Sequence, residues 1–569
     1  METSTVETRV EDNNVTRPSG KPKIAYFSME IGIDEHIPTY SGGLGVLAGD
    51  TLKSCADLNV PIVGVTLLSE KGYFYQEIDL EGNQIELPYN FTINDFLKLL
   101  PSKTSVKIEG RDVAIRIWYY PVQGTSGYIV PIFFLDTNLE ENSSYDREIT
   151  KYLYGGDSKY RLAQEIILGI GGVRAIDALG YRSIDKYHMN EGHAALGTLE
   201  LYDQIKDVEK VRQQCVFTTH TPVAAGHDQF DLPLVKSMIS ELIPDSLLHE
   251  FTFENKLNMT RLALFFSHYV NGVAKRHGEV SRMMFPGYAI DSITNGVHTA
   301  TWVSEPFQRV FDKYLPGWRA DPYTLRGAFG IDKADIWAAH MEAKKKLIDF
   351  VNNRYNVGMN YDHFTIGFAR RQTAYKRPEL LISDAQRLMC IAENAGPIQI
   401  IYGGKAHPKD GSGKETIKKI FTAMKNINGK VKMAYIHNYD IAIGKLITSG
   451  VDLWLNTPRR PQEASGTSGM KAAHNGVPQL STLDGWWIEG RVENITGWAI
   501  GTRKSNEQES DDDNDRDDMY NKLETWIIPK FYKDRDNWIR TMRSCIAINA
   551  SFFNTNRMIE QYVLNAYFM

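Results

Sequence analysis

Nine residues near the chain's last fifth, Glu463-Ala464-Ser465-Gly466-Thr467-Ser468-Gly469-Met470-Lys471, combine a carboxylate, three hydroxyls, two glycines and a lysine. A glycine- and hydroxyl-rich turn ahead of a helix offers backbone N–H groups to a phosphate. The lysine has two readings. It is a solvated charge or, sunk in a pocket, an amine able to form a Schiff base with an aldehyde cofactor such as pyridoxal phosphate.

Three other clusters carry comparable chemistry. Gly42-Gly43-Leu44-Gly45 is a tight turn or a second place where backbone can approach an anion. Arg370-Arg371-Gln372-Thr373-Ala374-Tyr375-Lys376-Arg377 holds four cations, either a solvated basic loop or a grip on phosphate. Asn190-Glu191-Gly192-His193 carries a histidine that is a catalytic base or a positioned ring, and Thr218-Thr219-His220-Thr221-Pro222 carries another. Two such histidines raise the question of zinc, but no third ligand is spaced to complete a site.

These clusters need a scaffold that brings them together. Ile24–Met29 reads as a strand, Val46–Leu58 as a helix and 60–65 as a buried strand, with the glycine turn at the first strand-to-helix junction. Strands are expected at 113–120, 129–135, 186–189 and 215–219, and helices at 157–178 and 259–275. The alternation restarts with strand 364–368, helix 378–392, strand 398–402, helix 413–426, strand 431–436, helix 441–449 and strand 451–456. The nine-residue motif and a helix through His474 follow. Strand–helix alternation with apolar strands is the pattern of a parallel sheet covered on both faces, and seeing it twice predicts two such domains. Ligands of open α/β sheets bind at the carboxyl ends of strands, where all four clusters lie.

The chain has 569 residues, enough for two or three domains, with 42% apolar and 24% charged residues. A net charge of −6 gives no electrostatic reason to expect nucleic acid. Cys55, Cys215, Cys390 and Cys545 are scattered, which fits a reduced cytoplasm better than a disulfide scaffold. No run of 18 apolar residues predicts a membrane span. Residues 1–22 read as a disordered polar head without a signal core. The acidic run Glu509–Asp518 reads as a solvated loop closing the second domain, and 526–569 as an amphipathic helical tail.

Taken together, the motifs resemble the α-glucan phosphorylases (glycogen, starch and maltodextrin phosphorylases). The resemblance runs in order through Tyr40–Leu47, Asn190–Leu196, Thr294-Asn295-Gly296, Arg371 with Tyr375-Lys376-Arg377, Gly403-Gly404-Lys405-Ala406, Asn438-Tyr439, Glu463–Lys471, Asn475-Gly476 and Thr482-Leu483-Asp484-Gly485. It implies a glycosyltransferase-B type α/β fold, two Rossmann-like domains (23–300 and 301–525) facing across a deep cleft. It implies reversible phosphorolysis of a terminal α-1,4-linked glucose to α-D-glucose 1-phosphate, with retention. Lys471 is similar to the family's Schiff-base lysine for pyridoxal 5'-phosphate, whose phosphate, rather than its aldehyde, relays a proton. Gly466, Thr467 and Ser468 would cradle that phosphate, with Lys376 and Tyr439 beside it. Gly43 and Arg371 would hold the substrate phosphate. Glu463, Ser465, Asn295 and Tyr375 match residues around the sugar, and His193 a histidine whose main-chain carbonyl faces it.

Some positions depart from the family pattern. Glu30-Ile31-Gly32 stands where the larger enzymes keep a tyrosine, Thr373 replaces a histidine, and Ser468-Gly469 replaces glycine-asparagine. The chain is shorter than animal and plant forms, so the expectation is an enzyme without their phosphorylation and nucleotide switches, similar to the short bacterial and archaeal type. A homodimer or larger assembly is implied. The alternatives are a nucleotide-sugar-dependent glucan synthase and a glucan-binding protein without catalysis. Such synthases carry a second glutamate where Lys471 stands, and the joint presence of Lys471, Arg371 and Lys376 argues against lost catalysis.

Overall fold

A computed structural model describes residues 22–223, 226–427, 429–501 and 511–568. The expected disordered head, apart from Pro22, lies outside the described residues, as do Glu509 and Ser510 of the acidic run.

Two large sheets dominate. The first has nine strands, in the order Asp291–Ser292, Tyr269–Gly272, Cys215–Thr218, Lys186–Asn190, Ile24–Ser28, Ile62–Leu67, Ile129–Asp136, Arg111–Gln123 and Lys98–Ile108. Pairing is parallel from the first of these through Ile129–Asp136 and antiparallel across the last two. Ile24–Ser28 lies between Lys186–Asn190 and Ile62–Leu67 and is buried at every position. Its side chains alternate between two cores. Ala25 and Phe27 join one with Val63 and Val65, while Ile24 and Tyr26 join the other with Ile62. A strand with core on both faces must be apolar throughout, which is why it reads as a continuous run.

The second sheet has six parallel strands in the order Lys432–Ile436, Ile398–Gly403, Phe364–Ala369, Leu453–Asn456, Gln479–Thr482 and Gly497–Ile500. Numbered along the chain that order is 3-2-1-4-5-6, the doubly wound arrangement. The strand order reverses between Phe364–Ala369 and Leu453–Asn456, so the loops leaving these strands splay apart there. In the first sheet the reversal falls between Ile24–Ser28 and Lys186–Asn190. The four clusters follow these strands or the adjacent Cys215–Thr218.

Several expectations are corrected. The helix expected over 259–275 is helix Met259–Phe265, then strand Tyr269–Gly272, then a helix from Lys275 to Met284. The helix expected over 378–392 divides into a 3-10 turn, Pro378–Ile382, and helix Ala385–Asn394 capped by the Asp384 side chain. The acidic run is not a loop within the described residues. Asp512–Lys522 is a helix whose Asp511 side chain accepts from the N–H groups of Asp513 and Asn514, and Asp515 on it is buried.

The tail is helical and serves both cores. Trp538, Met542 and Ile546 belong to the second sheet's core, whereas Met558, Ile559, Tyr562 and Tyr567 belong to the first's. Helix Thr555–Tyr562 packs on helix Gly43–Asp57, with the Ser54 hydroxyl 2.5 Å from Thr555 Oγ1 and 2.7 Å from Asn556 Oδ1. Tyr567 and Tyr562 reach under the first sheet to His188 Nδ1 (2.7 Å) and Thr218 Oγ1 (3.1 Å).

Candidate active site

A cavity of about 930 Å³ is lined from both sheets, and it gathers all the expected site residues. On the second-sheet side, the loop leaving Phe364–Ala369 brings Arg370, Arg371, Tyr375 and Lys376, and the loop leaving Leu453–Asn456 brings Glu463, Ser465 and Gly466. The two loops are cross-tied. Arg459 N–H donates to the Tyr375 carbonyl at 2.7 Å, and the Thr457 hydroxyl sits 2.8 and 2.9 Å from the carbonyls of Lys376 and Arg377.

Charge in this corner is unbalanced. Arg370 Nη2 meets Glu463 Oε2 at 2.5 Å, and Lys376 Nζ is 4.0 Å from the same oxygen. Arg371 also lines the cavity and makes no ion pair among the described residues. Arg370 and Lys376 thus share the Glu463 carboxylate, with Arg371 close by, while a second buried carboxylate, Asp484, accepts from the Glu463 N–H at 2.8 Å. Burial works against the Glu463 charge, but Arg370, Lys376 and Arg371 outweigh it and hold the group below the usual glutamate range. Burial, with repulsion from Arg370, pulls Lys376 down to about 7. An arriving anion would relieve that repulsion.

Lys471 is buried one turn into helix Thr467–Ala473. Gly466 caps the helix with φ +88°, a left-handed conformation that glycine adopts without penalty. The Lys471 ammonium lies 3.8 Å above the Trp302 ring, whose Nε1 donates to Asp50 Oδ2 at 2.7 Å. Burial lowers the lysine to about 8, with Asp50 opposing, so an appreciable neutral fraction exists near neutrality. Tyr439 and Ser468 line the same end, and Ser468 Oγ accepts from Trp454 Nε1 at 3.2 Å.

The first-sheet wall supplies the glycine loop. At Gly42 and Gly43 an added Cβ would meet nothing within 4 Å, so the backbone there borders open cavity. Gly43 begins helix Gly43–Asp57, earlier than the expected start at Val46. The loop's shape is set by Glu30, which accepts from Ser41 N–H (2.5 Å), Gly42 N–H (3.3 Å) and the Tyr154 hydroxyl (3.0 Å). Tyr40 completes it. Its ring lies 3.1 Å from where a Cβ on Gly32 would be, and its hydroxyl accepts Ile441 N–H at 3.0 Å.

His193 is on the same wall, with Nε2 3.6 Å from Asp228 and Nδ1 buried without a partner. Burial, reinforced by Arg161, pulls its pKa to about 3. A ring that weakly basic is a poor general base, which favours the positioned-ring reading. Sequence reasoning gave little weight to several wall residues. His220 lines the cavity beside it, held by Asn190 Oδ1 at 2.6 Å, and its N–H donates to Glu191 at 2.7 Å. Arg161 and Asp228, paired at 2.9 Å, also line the cavity. Their only signal is proximity in the fold, since no motif contains them. No group of residues suited to hold a metal occurs among the described residues. None of the described helices is long and apolar enough to cross a membrane.

Five cavity-lining residues carry buried polar atoms without a partner among the described residues: Arg161 Nη1, Arg370 Nη1, Ser465 Oγ, Asn295 Oδ1 and His193 Nδ1. Each such atom costs about 1–3 kcal/mol if it stays unpaired, so their convergence on one cavity points to a polar ligand with many hydroxyls or anionic oxygens.

Comparison with known proteins points the same way. Residues 239–522 match the family described as Carbohydrate phosphorylase. The chain is 37% identical to a maltodextrin phosphorylase of Thermococcus litoralis, covering 96% of this chain and 70% of that one. It is 33% identical to a glycogen phosphorylase of Aquifex aeolicus, covering 96% and 86%. A glycogen phosphorylase of Mycobacterium tuberculosis is 34% identical, covering 98% and 72%.

Proposed function

The chain belongs to the carbohydrate phosphorylase family, and from that premise we propose that it catalyses reversible phosphorolysis of α-1,4-glucans. Phosphate removes the terminal glucose as α-D-glucose 1-phosphate, with retention of configuration. The observation that carries this reading is the surplus of positive charge around Glu463: Arg370 and Lys376 pair with its one carboxylate, and Arg371 lines the same cavity with no ion pair among the described residues.

The residues present fit pyridoxal phosphate. Lys471 is a buried amine of lowered basicity beside an aromatic ring, and the turn ahead of it is glycine- and hydroxyl-rich. Lys471 would hold the cofactor, and Gly466, Thr467, Ser468, Lys376 and Tyr439 would surround its phosphate. When bound, the cofactor supplies a second phosphate able to exchange a proton with the substrate phosphate. Two unit charges about 4 Å apart at an effective dielectric near 20 repel by about 4 kcal/mol, so the site needs several cations before two phosphates can meet. Arg371, exposed to the cavity and unpaired, grips the substrate phosphate, and Gly43 offers it a backbone N–H.

Glu463, Ser465, Asn295 and Tyr375 hold the sugar hydroxyls, and the unpartnered Ser465 Oγ and Asn295 Oδ1 support that part of the reading. The His193 main-chain carbonyl faces the sugar carbon that gains positive character. The substrate phosphate gives its proton to the departing glucan oxygen and then attacks C1, so a glycosidic bond is exchanged for a glycosyl–phosphate bond. The two sheets act as glycosyltransferase-B type domains, 23–300 and 301–525, with the cavity as their cleft and 526–569 as the tail. Assembly as a homodimer or larger is part of the proposal.

The test is glucose 1-phosphate release from a maltooligosaccharide series in the presence of inorganic phosphate. Release that requires both phosphate and bound pyridoxal is the expected result. A protein without the cofactor that extends glucan from a nucleotide sugar would overturn it.

A further inference from the structure

Asp515 lies outside the cavity lining, yet it joins the backs of both loops that build its cationic corner. It is 1% exposed, on the first turns of helix Asp512–Lys522. One oxygen accepts from Arg377 Nη2 at 2.7 Å, and the other from Arg460 Nη2 at 3.0 Å. Arg377 directly follows Lys376, on the loop that also carries Arg370 and Arg371. Arg460 lies three residues before Glu463. One buried carboxylate therefore bridges the phosphate-facing loop and the sugar-facing loop.

Arg377 reinforces the bridge with its remaining donors. Its Nε donates to the Thr457 carbonyl at 2.8 Å, and Nη2 also donates to Pro458 at 3.1 Å. Its backbone has φ +45°, a left-handed conformation that costs a non-glycine residue energy and persists only where its surroundings hold it. A planar guanidinium fork with its donors on fixed acceptors fixes the orientation of the loop it stands on. Without an anion behind them, the five cations Arg370, Arg371, Lys376, Arg377 and Arg460 would repel one another, and the loops would part. Asp512 pairs with the same Arg377 at 2.8 Å, but it is half exposed, and its other partner Arg459 lies nearer the surface.

We propose that Asp515 is a positioning residue for phosphate chemistry in this site: a buried anion that fixes Lys376 and Glu463 relative to each other without touching substrate. This rests on the phosphorolysis reading above, but one of its two readouts does not. The experiment compares holoenzyme carrying Asp515→Asn or Asp512→Asn with the unaltered protein. It measures kcat for glucose 1-phosphate release and the Kd of orthophosphate by calorimetry, both well below the thermal midpoint.

Asp515→Asn is expected to lower kcat by about 10- to 100-fold, the cost of displacing reacting groups by up to an ångström, and to weaken orthophosphate by a similar factor. Asp512→Asn is expected to stay within about 2-fold on both, as a screened surface pair should. A folded Asp515→Asn protein within 2-fold of the unaltered one on both readouts overturns the proposal. So does an equal loss in Asp512→Asn, which would mark a general effect of helix anchoring. Should Asp515→Asn fail to fold, Arg460→Met cuts the tie on the Glu463 side while leaving the Arg377–Asp515 pair in place, and is expected to lower kcat about 5-fold; no change there is equally fatal. If the unaltered protein releases no glucose 1-phosphate, the phosphorolysis reading fails, while orthophosphate Kd still reports on Asp515.

Discussion

Arg370 and Glu463 are 93 positions apart in sequence and 2.5 Å apart in space, both nearly buried, each on a loop leaving one of the two strands that flank the second sheet's reversal point. The contact uses one guanidinium nitrogen and leaves Arg370 Nη1 without a partner. Arg370 thus does two things at once. It keeps Glu463 ionised, and it holds a second donor in reserve for a ligand.

That division separates the two adjacent arginines. Arg370→Ala leaves Glu463 buried with no close guanidinium, facing the more distant Lys376 and Arg371, a loss expected to cost about 3–5 kcal/mol of stability. Arg371→Ala breaks no ion pair and is expected to change stability by no more than about 0.5 kcal/mol. Losing a charge-assisted contact of about 1.5–3 kcal/mol, it should raise the KM for phosphate roughly 10- to 100-fold. Denaturant unfolding and phosphate kinetics on both variants check the contrast, and equal destabilisation would refute it.

Lys376, pulled to about 7 by burial and by Arg370, sets a pH dependence for anion binding. An anion favours the protonated amine, so binding is strong below about 7 and weakens as pH rises through it. Sulfate stays a dianion over this range, which makes it a clean probe. Sulfate protection of the cofactor-free protein against thermal unfolding is expected to shrink between pH 6 and pH 8 (roughly one unit either side of the shifted value). Lys376→Met should flatten the profile, and an unchanged slope in that variant would assign the effect elsewhere.

Lys471→Ala tests the cofactor anchor. Alanine suits the helix, so the backbone is expected to persist. Pyridoxal absorbance should vanish after dialysis, and glucose 1-phosphate release should fall by about 10²–10⁴-fold, the range for losing a proton-transfer group. Retained absorbance in the variant would show that another amine carries the cofactor.

Gly45→Ala tests the glycine loop. An added Cβ would stand 2.7 Å from both Glu30 Oε2 and Tyr40 Cβ, and Tyr40 Cβ cannot swing away. Overpacking of this kind costs about 1–3 kcal/mol, and the loop should shift toward the cavity. Lower stability together with a raised KM for phosphate is expected, and a change in neither would place the loop's rigidity elsewhere.

Much of this site is readable from sequence because its loops follow apolar strands and carry glycines or cations in short spans. Residues 364–369 announce a buried strand, and four cations in the next eight residues announce an anion site. What stays hidden depends on partners far along the chain. Strand Tyr269–Gly272 was absorbed into a helix because Leu262, Ala263, Leu264, Val270, Val273 and Ala274 are apolar on every side, and a short apolar stretch has no period to betray it. The acidic run reads as solvated because its own neighbours are acidic, and nothing local says that Arg377 and Arg460 will neutralise Asp515. Asp228 and Arg161 sit in no motif, yet their pairing forms part of the cavity wall.

The helix Thr555–Tyr562 gives the chain an order of events. Met558, Ile559, Tyr562 and Tyr567 complete a core that also holds Ile24, Tyr26, Leu52 and Ile62, which come far earlier in the chain. At about 5–20 residues per second, the ribosome finishes the strands of the first sheet tens of seconds before it delivers those side chains. During that interval helix Gly43–Asp57 has an uncovered apolar face. Closing so long a loop makes this step slow relative to local folding. Catalytic competence should therefore wait for helix Thr555–Tyr562, and the nascent first half is the form in which a chaperone would most readily find this protein.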